Sequence, residues 1–90
     1  MSVKATLRNR LAAGEIERTV DALQSIAERY GDQYFQRDVT HQAGRFHGLK
    51  RERQQGTVSD EFYNLQLNNI RQALQDLIDK VPPNAQLPGQ

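Results

Sequence analysis

The last third of the chain repeats apolar residues at alternating steps of four and three: Tyr63, Leu67, Ile70, Leu74, Leu77 and Val81. That is the period of an α-helix with one buried stripe, whereas a strand would show alternation. Ser59 stands where an N-cap belongs, and Asp60 and Glu61 occupy the first turn, where carboxylates favour the positive end of the helix dipole. Asp76 and Lys80 are placed i, i+4 in the favourable order for an ion pair. Pro82 and Pro83 end the segment, since proline cannot continue a helix interior. A single-striped helix of this length is stable only against partners, so the rest of the chain must supply them.

Three further segments do so. The first runs from about residue 3 to 12, with Val3, Leu7 and Leu11 on one face and Gly14 as its stop. The second runs from about 15 to 30, with Ile16, Val20, Leu23, Ile26 and Ala27 as its stripe, Glu15 and Glu17 in its first turn, and Gly31 beyond. The third runs from about 32 to 55 through Phe35, Val39, Ala43 or Gln42, Phe46, Leu49 and Arg53. Gly44 and Gly48 each cost it about 1 kcal/mol relative to alanine, yet two small residues four apart also let another helix come close. One continuous helix is expected there. The tail, PPNAQLPGQ, is expected to form no packed element and to act as a linker or cut end.

The chain is therefore read as all-α, a compact antiparallel bundle of about four helices over residues 1–81, with residues 82–90 as a Pro/Gly/Gln-rich tail. Ninety residues hold one core. An apolar fraction of 37% suits narrow helical stripes better than a sandwich or barrel. The absence of cysteine excludes disulfides and thiolate metal sites and makes a reducing cytoplasm the expected compartment. No run of secretory or membrane-spanning length occurs, so no signal peptide and no membrane partner are expected.

Charge is segregated along the chain. The first segment carries Lys4, Arg8 and Arg10 with no acid. The second is acidic, with Glu15, Glu17, Asp21, Glu28 and Asp32 against Arg18 and Arg29. The third is basic again, and none of Arg37, Arg45, Lys50, Arg51 and Arg53 has an acid at i±3 or i±4. Their charges must be solvated, paired with another helix or offered to a partner. Opposed faces of this kind permit head-to-tail docking of copies, in rings or filaments. Arg45, Lys50, Arg51 and Arg53 are the candidate basic contact residues, and Glu15, Glu17, Asp21 and Glu28 the acidic ones. The bland alternative is mutual neutralisation of the helices inside one fold.

No catalytic or cofactor chemistry is legible. His41 and His47 lie six apart and point to opposite sides of one helix, so they cannot share a metal in the i, i+4 manner. Ser59 has a cap to make and no base beside it, and no glycine-rich phosphate loop occurs. Nucleic-acid binding is the alternative function, as a small helical regulator or antitoxin. It is disfavoured by the net charge of +1, by Glu52 inside the basic run and by Asp60 and Glu61 opening the next helix.

The run GRFHGLKRERQQGTVSDEFYNLQLNNIRQALQDLID, residues 44–79, resembles the effector-associated domain of type eleven, a death-like helical module of prokaryotic conflict systems. The resemblance rests on Ala43-Gly44-Arg45-Phe46, the Leu49 to Arg53 block, Gly56, the Ser59-Asp60-Glu61 turn with Tyr63 and Asn64, and Asn68, Ile70, Arg71, Ala73, Leu74, Leu77, Ile78 and Asp79. Residues 12–23 fit more loosely, and Phe62 departs from the family, which more often has an acid there. It implies a non-enzymatic adaptor in bacterial immunity, free of cofactors, that binds like domains and so recruits or clusters effectors. The attached effector would be a protease, a caspase-like enzyme or an ATPase.

Overall fold

In a computed structural model that describes residues 2–87, four helices follow one another: α1 (Val3–Ala12), α2 (Ile16–Tyr30), α3 (Gln33–Gln55) and α4 (Asp60–Asp79). No strand occurs among the described residues. Consecutive helices are neighbours, α1 packs back on α4, and α2 also touches α4. α1 and α3 do not meet, so they flank the α2–α4 contact from opposite sides. The result is an all-α bundle with extents of 40 × 26 × 22 Å.

Each helix begins and ends for a local reason. Side-chain oxygens of Ser2, Asp32 and Ser59 accept from the backbone N–H of Ala5, Phe35 and Phe62, satisfying donors that a helix start leaves free. Glu15 takes the cap position of α2 without capping it, and its carboxylate receives Arg18 instead. Gly14 and Gly56 adopt φ of 83° and 73°, the left-handed region that glycine enters without strain. Around Gly56 the N–H of Thr57 donates to Glu52 O and that of Gly56 to Arg53 O, closing α3 in a Schellman motif. Gly31 is needed for space: a Cβ there would sit 2.8 Å from Phe35 Cδ2 and 2.9 Å from Ala27 O.

The stripes expected from spacing meet in one core. Leu7 and Leu11 of α1, Val20, Leu23 and Ile26 of α2, and Ile70, Leu74 and Ile78 of α4 are sealed from solvent at its centre. Phe35, Val39, Ala43, Phe46 and Leu49 line it from α3, which resolves the choice at Ala43 or Gln42 in favour of Ala43. Thr19, the one buried polar residue among those described, turns its hydroxyl to Glu15 O. α3 runs through Gly44 and Gly48 without a break, and both glycines face open space.

Two expectations need correction. Residues 82–87 carry no helix or strand, but they do pack, because Ala85 and Leu87 are buried in the core beside Val81. A turn closed by Ala85 N–H on Pro82 O brings the chain back to the bundle, so apolar burial outweighs the proline-rich composition. Residues 88–90 of that tail lie outside the described residues. The Asp76–Lys80 pair does not form, since α4 stops at Asp79 and Lys80 occupies the C-cap off the helical register. Its helix end is served from α1: Lys4 Nζ donates to Asp79 O, and Arg8 pairs with the Asp79 carboxylate. The basic first segment thus supplies cations to the negative end of α4, which has none in its own last turn.

Candidate functional site

The basic residues of α3 point in different directions, as their positions on a 3.6-residue helix require. Lys50 reaches α2 and bonds Glu17 at 2.9 Å. Arg53 reaches α4, where it meets Asp60 at 3.0 Å and lies 4.3 Å from the centre of the Tyr63 ring. Arg37, outside the candidate set, stacks on Tyr34. Arg45 donates to Gln42 Oε1 and meets no carboxylate. Arg51 is exposed, with no hydrogen bond or ion pair among the described residues.

On α2, Glu17, Asp21 and Glu28 share one outward face at i, i+4 and i+11. Glu17 is committed to Lys50, and Glu15, just before the helix, to Arg18. Asp21 and Glu28 are exposed and carry no ion pair among the described residues. The structure therefore brings Lys50 and Glu17 together inside one molecule and leaves Arg51, Asp21 and Glu28 uncommitted. The pairs that do form lie on the surface, where such bridges contribute about 0–1 kcal/mol, so they can exchange for a partner's charges at little cost.

Lys50, by its hydrogen bond and then by its charge, holds the Glu17 carboxyl below the ordinary value of 4.5; a smaller pull comes from His47, while desolvation opposes it. A depressed folded pKa means that the bridge stabilises fully above the ordinary carboxylate range and is lost as pH falls through the lowered value. In Lys50→Met the Glu17 titration, followed by side-chain NMR, should return upward toward 4.5. An unchanged titration would show that the bridge is not made in solution.

The sequence leaves the off-stripe Phe62 open as core or contact surface, and sequence reasoning missed Leu65 and the groove beside it. Phe62 and Leu65 of α4 are large apolar side chains left 45% and 58% exposed. Beside them a groove of about 260 Å³ opens between α3 and α4, lined by Gly44, Arg45, Gly48 and Glu52 on one side and Phe62 and Ile70 on the other. The signal for it was the off-stripe Phe62 together with the two glycines, but spacing alone does not say whether a glycine face is covered.

Among the described residues no cluster of three His, Cys, Asp or Glu side chains could hold a metal ion. None of their helices is long and apolar enough to cross a membrane. The family model of effector-associated domain 11 matches residues 3–82. The chain belongs to that family. The match runs from the first residue of α1 to just past α4, so an effector-associated domain 11 is this four-helix unit, and the buried Ala85 and Leu87 lie beyond its limit. Neither the curated proteins nor the solved structures returned a match.

Proposed function

We propose that this effector-associated domain is a non-enzymatic cytoplasmic adaptor that binds like domains and thereby recruits or clusters effectors in bacterial defence signalling. The observation that carries the reading is the family match over residues 3–82, nearly the whole chain. The surface supports it. Arg51 on one helix and Asp21 and Glu28 on another are exposed, of opposite sign and unneutralised within the fold. Charges on separate faces favour a heterologous contact, in which the basic face of one copy meets the acidic face of the next. Lys50, Arg53, Glu15 and Glu17 border those faces and join the contact by exchanging their surface bridges, while Arg45 stands nearer the groove. The partner is a like domain on the same or another protein, and the effector is a protease, a caspase-like enzyme or an ATPase.

Mixing separates this reading from its rivals. Arg51→Glu, and separately Asp21→Lys with Glu28→Lys, should each stop the head-to-tail growth into assemblies larger than a dimer in sedimentation velocity, with the helical circular-dichroism signal intact. Each variant keeps one native face, and the two reversed faces complement each other, so an equimolar mixture should regain the larger assemblies that neither variant forms alone. If both variants associate like the parent, the charged faces are not the contact.

A further inference from the structure

The groove between α3 and α4 holds two opposite charges that find no carboxylate or cation within the fold. Arg45 bonds only the amide oxygen of Gln42, and the Glu52 carboxylate makes no ion pair or hydrogen bond among the described residues. Both line the same groove, seven residues apart on α3, which is about 10 Å along the helix axis and too far for them to pair with each other. Midway between them is Gly48. A Cβ built at Gly48 or at Gly44 would meet nothing within 4 Å, so the α3 backbone is open to approach from outside. Phe62 forms the other wall at the Glu52 end, and Ile70 lies toward the Gly44 end.

The geometry points to a second copy of this domain as the occupant of the groove, related by a two-fold axis that crosses α3 near Gly48. Such an axis sets the two α3 helices antiparallel. Arg45 of each copy then faces Glu52 of the other, and one interface holds two identical ion pairs. The missing side chain at Gly48 lets the helices close where they cross. Phe62 of each copy comes over the Gly44–Ile70 end of the other's groove, which covers a ring that is otherwise 45% exposed. The flanking surface suits an interface core, from which charge is depleted. From Phe62 to Gln75 the one charged residue is Arg71, and the outer face of α4 offers Leu65, Asn69 and Gln72. A specific dimer buries about 800 Å² from each partner, so this face must take part along with the groove.

This contact rests on the reading of the domain as a like-to-like assembly module and differs from the Arg51-to-Asp21 contact in symmetry. An isologous contact closes on two copies, whereas a heterologous one propagates. Together they would let a pair become the repeating unit of a larger assembly.

Sedimentation equilibrium over a concentration series, with circular dichroism to monitor folding, tests it in a background of Arg51→Glu, which removes the heterologous contact. The expected result is a dimer. Arg45→Glu or Glu52→Arg alone sets like charges face to face twice and should raise the dissociation constant tenfold or more. The double swap, Arg45→Glu with Glu52→Arg, should bring it back to within a few-fold. Gly48→Leu and Phe62→Ser should each weaken the dimer as folded monomers. A monomer throughout the series, or a double swap that fails to rescue, overturns the groove dimer. If the parent chain still self-associates and yields to Arg51→Glu, the like-to-like reading survives that failure; if the parent neither self-associates nor binds a like domain, both fall.

Discussion

Replacing Leu23 by alanine should lower the stability of the domain by about 2–5 kcal/mol, the range for a leucine truncated in a core that relaxes only partly. Leu23 has no exposed surface and sits on α2, which, like α4, touches all three other helices. A domain of this size has about 5–10 kcal/mol of net stability, so the loss is a large share of the total. At about 4–8 °C per kcal/mol the melting temperature should fall by about 8–40 °C. Leucine and alanine are both good helix formers, so propensity contributes little to the change. Leu65→Ala is the matched control: the same substitution inside α4, at a side chain 58% exposed. Measured at low concentration, where association adds nothing, it should move the melting temperature by only a degree or two. If both variants melt alike, α2 does not bury the face assigned to it.

That prediction draws on what the sequence makes legible. A stripe of apolar residues at steps of four and three fixes which side of a helix turns inward. Here Leu7, Leu23, Phe46 and Leu74 lie on those stripes and are buried in the core. Helix ends were legible for a related reason, since caps and left-handed glycines act through bonds of a few residues' span. Ser59 and Gly14 each do locally what their positions announced. Destinations across the bundle were not legible. That Lys50 reaches Glu17, that Arg53 reaches Asp60, and that Lys4 caps α4 depend on how the helices lie together, which no i±4 rule contains. The candidate basic residues were adjacent in sequence, but the 100° turn per residue scatters them around α3. What remains for a partner is a subset that only the packed structure separates.

The charge arrangement is compatible with the proposed assembly and with a stable fold. Exposed ion pairs add little to stability, so Lys50–Glu17 and Arg53–Asp60 chiefly hold long side chains in place. Cations that would otherwise repel one another along α3 are thereby kept apart. Complementary patches of this sort raise encounter rates and set register more than they add affinity. Affinity would then come from apolar contact, which Phe62 and Leu65 supply on α4 rather than on the charged faces.

The second large effect concerns the segment after α4. Leu87→Asp should cost about 1–2 kcal/mol, less than Leu23→Ala even though the incoming residue is worse. Leu87 is only 3% exposed, and burying a leucine stabilises by about 1.5–3 kcal/mol. An aspartate cannot stay in that site charged, so the chain beyond Val81 should detach rather than carry the carboxylate into the core. Detachment forfeits the burial of Leu87 and Ala85 and is offset in part by the conformational freedom returned to the released residues. Proline has little freedom to regain, so Pro82 and Pro83 return less than average and the balance stays on the side of a net loss. Gln86→Asp adds the same charge one residue earlier, at an exposed position, and should leave the melting temperature within about a degree. Hydrogen exchange gives a second readout: in Leu87→Asp the Ala85 amide, which bonds Pro82 O, should lose its protection while the amides of α1 keep theirs. Equal melting of Leu87→Asp and Gln86→Asp would mean that the segment does not hold to the core, and the folded unit would then end where the family match does, at residue 82.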